Sequence, residues 1–178
     1  KRGLYNLKST PDALPAFIAD KNKELFSKHH IFTESELESR YEILLENYSK
    51  NIHIESLTHQ EMVRKDFMDG LISYSSEVAG EAEMKKSLIP DIACSLETHI
   101  IQKLDCLSGK ILKALDKLAE DTREAEKITD ALQCAAFYQD TVLTDMEALR
   151  SYVDVAESMI PESYLPYPTY GEMLFALR

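Results

Sequence analysis

This sequence predicts an all-α fold: an elongated antiparallel bundle of long helices followed by an extended, Pro- and Tyr-rich C-terminal tail. Three observations carry the prediction. Apolar residues recur at spacings of three and four along most of the 178 residues, the mark of buried helical stripes. Gly is scarce at five, Trp is absent, and Leu, Ala, Glu, Lys and Ser dominate, a composition that suits helices and starves turns and sheets. Two of the stripes are long and joined by a short polar stretch, which makes their helices antiparallel neighbours. A coiled-coil hairpin is the alternative packing, but each stripe has a partner available within the chain.

The elements follow in order. Ser9, Thr10 and Asp12 in STPDALPAFIADKNKELFSKHH are helix-start residues, and Pro11 and Pro15 are tolerable in a first turn. One helix is expected from about Asp12 to Lys28, with Leu14, Phe17, Ile18, Leu25 and Phe26 forming a stripe that must dock on something. Thr33 and Glu36 make a capping box, after which Leu37, Tyr41, Leu44, Tyr48 and Ile52 recur at helical spacing. Thr58 and Glu61 repeat the box, predicting a kink or restart near Ser56, and Val63, Phe67, Leu71, Tyr74 and Val78 continue the stripe until it fades at AGEAEMKKS.

Pro90 stands where a first-turn proline belongs. Ile92, Leu96, Ile100, Leu104, Leu107, Ile111, Leu115 and Leu118 then mark a helix of about 40 Å at roughly 1.5 Å per residue. The polar AEDTREAEK predicts a reversal. A second long helix carries Ile128, Leu132, Ala135, Tyr138, Val142, Met146, Leu149, Val153, Ala156 and Ile160 and stops at Pro161.

In the tail, Pro161, Pro166 and Pro168 favour an extended path that lays out Tyr164, Leu165 and Tyr167. Thr169 with Glu172 forms a third capping box, opening a short helix that presents Met173, Leu174 and Phe175. So much local instruction suits a docking segment, packed on its own bundle or on another surface; either would bury the aromatics.

Charge and composition exclude several functions. Thirty-one acidic against twenty basic side chains give −11, which repels phosphate backbones and anionic lipid surfaces, so neither nucleic acid nor membrane is an expected partner. No apolar run approaches the roughly 20 residues of a membrane helix and no signal peptide opens the chain, so a cytoplasmic protein is expected. Cys94, Cys106 and Cys134 lack CxxC spacing and read as small core residues of a reducing compartment. The chain begins on Lys1 without Met, as a piece of a longer protein would.

Chemistry is sparse. The five Gly stand apart, so no phosphate-cradling loop is present. His29 and His30 diverge at a helix end, His53 and Glu55 have no third ligand in view, and His59 and His99 stand alone; each reads as a surface or satisfied histidine. No Ser or Cys sits in a nucleophile motif. Glu36 with Arg40 and Glu61 with Lys65 are i, i+4 pairs of solvated faces, worth roughly 0.2–0.5 kcal/mol each. No catalytic, cofactor-binding or metal-ligating residue is therefore assigned. The residues alone describe an acidic helical interaction or structural domain.

NLKSTPDALPAFIADKNKELFSKH and ESRYEILLENYSKNIHIESLT, over about the first sixty residues, and LPYPTYGEMLF at the end together resemble type III glutamine synthetases. The first two resemble the region where those enzymes leave the catalytic domain for a family-specific C-terminal region, and the last resembles their ending. The long helices between match in helical character more than in motif.

The resemblance implies a parent glutamate-ammonia ligase that joins ammonia to glutamate through a γ-glutamyl phosphate, using ATP with Mg²⁺ or Mn²⁺. None of the family's catalytic or metal-binding motifs matches these residues, so no cofactor is assigned to this chain. Residues 1–32 would end the catalytic-domain-like segment, 33–160 form the helical bundle and 161–178 the docking tail. Expected partners are the upstream catalytic domain and further copies in a homo-oligomer, with docking residues Leu14, Phe17, Ile18, Phe26, Tyr164, Leu165, Tyr167, Tyr170, Leu174 and Phe175. The chain's role would be structural packing or oligomer assembly; a free-standing acidic helical adaptor that binds partner proteins is the alternative.

Overall fold

A computed structural model of the chain describes Gly3, residues 5–168 and residues 170–175, with Tyr170 described by its backbone alone. The Thr169–Glu172 box and the Tyr170 side chain lie outside the described residues. The fold is all-α, and no strand occurs among the described residues. The helices are α1 (Thr10–Phe17), α2 (Asp20–Lys28), α3 (Glu34–Glu61), α4 (Met68–Leu88), α5 (Ser95–Ala125), α6 (Ala131–Phe137), α7 (Leu143–Glu157) and α8 (Tyr170–Phe175). Wide π-helical turns join α3 to α4 at Met62–Phe67 and α6 to α7 at Tyr138–Val142, and a 3-10 turn covers Glu162–Tyr164. The chain forms two compact units, each made of two stretches: Lys1–Leu57 with Leu118–Met146, and Thr58–Lys117 with Glu147–Arg178.

In the first unit the expected helix over 12–28 is instead two. Ala19 adopts an extended backbone, with φ −60° and ψ 145°, and Asn22 Nδ2 donates to the Ala16 carbonyl at 2.6 Å, adding to the Ala19 N–H at the end of α1. Pro11 lies in the first turn of α1, begun by the Ser9 cap on Asp12 N–H, but Pro15 falls inside the helix rather than in the first turn expected for it; it has no N–H to offer the Pro11 carbonyl, and α1 ends two residues later at Phe17. The Thr33 box forms in full. Thr33 N–H donates to Glu36 Oε2 at 2.7 Å and Glu36 N–H to Thr33 Oγ1 at 3.3 Å. These bonds to Thr33 hold the Glu36 carboxyl below its ordinary value.

The α3 stripe differs by one residue from its expected course. Leu45 is fully buried and Leu44 is 45% exposed, because Leu37, Leu45, Ser49, Ile52 and Ser56 define the buried face. The two serines are paired within that face: Ser49 Oγ donates to the Leu45 carbonyl at 3.1 Å. Ser56 Oγ lies 2.8 Å from Thr122 Oγ1, whose own hydroxyl donates to the Leu118 carbonyl at 2.6 Å. With the Thr122 proton engaged, Ser56 is the donor. Buried hydroxyls thus meet the requirement for partners where apolar residues would otherwise sit.

In the second unit Val63, Phe67, Leu71 and Val78 are buried, as are Leu104, Leu107, Ile111, Leu115, Leu149, Ala156 and Ile160. The expected restart near Ser56 does not occur; α3 runs through Thr58 and the irregularity lies at 62–67. Its cause is the spacing Val63, Phe67, Leu71. Successive steps of four overrun an α-turn by about 40° each, and a wider turn absorbs the excess while keeping the three side chains on one face.

Pro90 lies in the turn between α4 and α5 rather than in the first turn of α5. Cys94, at φ 46°, takes a left-handed conformation just before Ser95, and its thiol donates to the Ala82 carbonyl. Leu96 is 67% exposed and Glu97 is buried in its place, paired with Lys85 of α4. The polar AEDTREAEK is mostly helix, since α5 continues to Ala125 and the chain reverses over 126–130. Of the cysteines, Cys94 is buried and Cys134 half-buried, but Cys106 is exposed, a correction to the expected core role.

Gly70 marks a close approach. A Cβ built there would lie 2.1 Å from the Tyr164 carbonyl oxygen, so only glycine lets the 3-10 turn rest on α4. Gly70→Ala is expected to lift residues 161–168 from α4, read as new proteolytic cleavage near Leu165 with helix content retained; an uncleaved variant would contradict the contact.

Lys85 holds the Glu97 carboxyl below its ordinary value of 4.5, and Glu97 holds the Lys85 ammonium above 10.5. The folded acid is the stronger one, so its contribution is complete above about pH 4.5 and fades as pH falls through the lowered value. Glu97→Gln is therefore expected to lower Tm at pH 7 and to converge with the parent sequence as pH falls through that lowered value. A gap that stays constant with pH would show that the pair does not tie α4 to α5.

Candidate functional site

The expected docking residues fall in both units. In the first, α1 packs against α6, and Leu14, Phe17, Ile18 and Phe26 are half-buried while Leu25 is exposed. Phe17 and Phe26 have ring centroids 5.9 Å apart, and Phe26 and Phe32 5.7 Å. Arg40 stacks its guanidinium 4.6 Å above the Phe32 ring, and Lys23 Nζ bridges Glu34 and Glu38 at 2.8 and 2.7 Å. Both carboxylates, Glu34 first, raise the Lys23 ammonium well above its ordinary value. Part of the apolar stripe thus finds its partners in α2 and the start of α3.

In the second unit, Tyr164 packs on Tyr74 at 5.4 Å between centroids and Leu165 is half-buried. Tyr167 Oη donates to Asp66 Oδ2 at 2.6 Å. Loss of hydration first, then Asp66, pushes the Tyr167 phenol up to about 12. The end of the tail is different. Leu174 is 76% and Phe175 73% exposed, leaving two large apolar side chains of α8 in water.

Sequence reasoning passed over a groove of about 480 Å³ in the first unit. α3 supplies Glu46, Lys50, His53 and Ile54, and the chain from Ala125 to Tyr138 supplies the opposite side. Tyr138 Oη lies 3.0 Å from His53 Nδ1 with the rings edge to face, and His53 Nε2 lies 3.5 Å from Glu126 Oε1. The tautomer with its proton on Nε2 satisfies both: the phenol donates to Nδ1 and the imidazole N–H faces the carboxylate. Burial first, then Cys134 and Glu126, pushes the Tyr138 phenol up to about 12, so it stays protonated. The pairing spans 85 residues, and no local spacing announces it.

The other histidines stay apart. His29 caps α2 after Lys28, His99 is exposed, and His59 is half-buried, its imidazolium disfavoured first by burial and then by Arg150. Among the described residues no group of three or more His, Cys, Asp and Glu side chains is placed to hold a metal ion. Among them, too, no helix is long and apolar enough to cross a membrane.

Comparison with known proteins gives this geometry a context. Residues 1–86 match the family model described as "Glutamine synthetase C-terminal domain". The chain is 56% identical, over all 178 residues, to a glutamine synthetase of Butyrivibrio fibrisolvens, of which it covers 25%. It is 29% identical to the type-3 glutamine synthetase of Dictyostelium discoideum, with 98% of this chain and 24% of that protein aligned. To a glutamine synthetase of Bacteroides fragilis it is 25% identical, with 98% and 25% aligned. The chain spans about a quarter of the length of the curated relatives it matches. It belongs to the glutamine synthetase family, as a C-terminal region of such a protein.

Proposed function

We propose that the chain is a non-catalytic helical element of an ATP-dependent glutamine synthetase and serves packing and assembly of the parent enzyme. One observation carries the reading: the whole chain aligns at 56% identity to only a quarter of a glutamine synthetase. In this reading the parent joins L-glutamate and ammonia in the cytoplasm, cleaving ATP to ADP and phosphate. The ATP and the Mg²⁺ or Mn²⁺ that neutralises the transferring phosphoryl group are held by carboxylates and Arg outside these residues.

Residues 1–32 continue the catalytic domain, 33–160 form the bundle and 161–178 dock. Met173, Leu174 and Phe175, adjoining and all exposed, support a docking role for α8, since contiguous exposed apolar patches mark interaction surfaces. Leu14, Phe17, Ile18 and Phe26 meet the upstream domain with the surface that α2 and α6 leave uncovered, and copies of the parent associate as a homo-oligomer.

Calorimetric titration of the purified chain with ATP and Mg²⁺ is expected to give only heats of dilution; saturable binding at micromolar to millimolar concentration would place part of the ATP site here and overturn the division of labour. Replacing both Leu174 and Phe175 with Asp should leave the melting of the 178-residue chain within about 0.5 kcal/mol, as for exposed positions generally. The same change should shift the full-length parent toward smaller species in sedimentation. Intact assembly of the doubly substituted parent would remove α8 from the interface.

A further inference from the structure

The groove between α3 and the stretch from Ala125 to Tyr138 has the size and make-up of a small-molecule site. Ligand pockets span about 300–1,000 Å³ and combine an apolar lining with a few convergent polar groups. Here the groove holds about 480 Å³. Ile54, Ile128 and Ala131 provide apolar wall, and the hydrogen-bonded Tyr138–His53 pair provides a fixed polar one. The π-helical turn begins on Tyr138 itself. Such turns sacrifice regular helical hydrogen bonding and recur where a side chain is aimed at a ligand.

The charge of the groove chooses among ligands. Two carboxylates, Glu46 and Glu126, face it against one ammonium, Lys50, and Lys50 lies 3.3 Å from Glu46. One negative charge is left over, on Glu126. Its Oε1 lies 3.5 Å from the imidazole and its side chain is 54% exposed, so its second oxygen has an acceptor to offer. α5 also ends at this wall, at Ala125; its Thr122, Glu124 and Ala125 carbonyls accept from the N–H groups of Glu126, Lys127 and Ile128, yet the C-terminal end of a helix of 31 residues is the negative end of its dipole. The neighbouring cation Lys127 is engaged by Glu124. An anion would be repelled by both Glu126 and the helix end. A neutral ligand would leave the excess charge unanswered.

We propose that this groove binds a small molecule bearing a protonated primary amine on a compact apolar body. The ammonium donates to Glu126, and the body lies on Ile54, Ile128, Ala131 and the Tyr138 ring. One N–H meets the carboxylate and the other two remain for water. The site lies outside any assigned to the chain, and its occupancy does not depend on the reaction of the parent.

Three probes that share a phenylethyl body test it: phenethylamine, 2-phenylethanol and 3-phenylpropanoate, each titrated into the 178-residue chain at fixed pH and followed by calorimetry and by the His53 ring-proton signals. Phenethylamine is expected to shift His53 saturably and to bind at least about tenfold more tightly than the other two, the scale of one hydrogen bond to a charged group. Glu126→Gln, at an exposed position that leaves the core untouched, should erase that preference. No saturable response to the amine, equal binding of the three probes, or an unchanged preference in Glu126→Gln would each overturn the proposal.

Discussion

Everything in this fold depends on keeping narrow apolar stripes out of water on helices that are otherwise heavily charged. Charged residues make up 29% of the chain, yet Leu37, Leu45, Leu104, Ile111, Leu115, Leu118, Val142 and Leu149 are each no more than about one per cent exposed. Full burial of such a side chain contributes about 1.5–3 kcal/mol, several times what any exposed ion pair on these helices supplies. The stripes therefore fix which helix faces meet. The polar ties decide detail: Ser56 with Thr122 inside the first unit, and Glu97 with Lys85 across the α4–α5 turn of the second.

The same demand explains the two π-helical turns. Buried positions spaced by fours, as at Val63, Phe67 and Leu71, drift around an α-helix unless the backbone widens. In the second unit the widening keeps one continuous face. In the first it also has a chemical result, because the turn opening at Tyr138 meets His53 and builds the groove wall. Packing geometry and a candidate site thus share one backbone irregularity.

Much of this was legible in the sequence, and the exceptions have physical reasons. Capping boxes are local, and the one at Thr33 forms as its spacing requires; Phe32, just ahead of it, holds the place of a hydrophobic staple and was readable by the same rule. The second box, at Thr58, fails as a signal because tertiary burial of Gln60 and Val63 carries the helix through it. Leu44 and Leu45 adjoin, as do Leu96 and Glu97, and hydrophobicity cannot tell which neighbour faces inward when Glu97 is paired with Lys85. The groove was invisible because Tyr138, His53 and Glu126 come from distant stretches, and a lone histidine on a helix announces nothing by itself.

The glutamine synthetase context gives the exposed ends a meaning. A chain that aligns throughout with a quarter of its relatives, and leaves Leu174 and Phe175 in water, is in our account a packing element whose remaining partners lie in the rest of the parent. Hydrogen exchange, compared between the 178-residue chain and the full-length parent, tests that account most directly. It predicts strong added protection in the parent at residues 170–175 and 14–26, with little change at the buried core from Val63 to Val78. Identical exchange in both proteins would show that this region folds without contacting the remainder, and would contradict it.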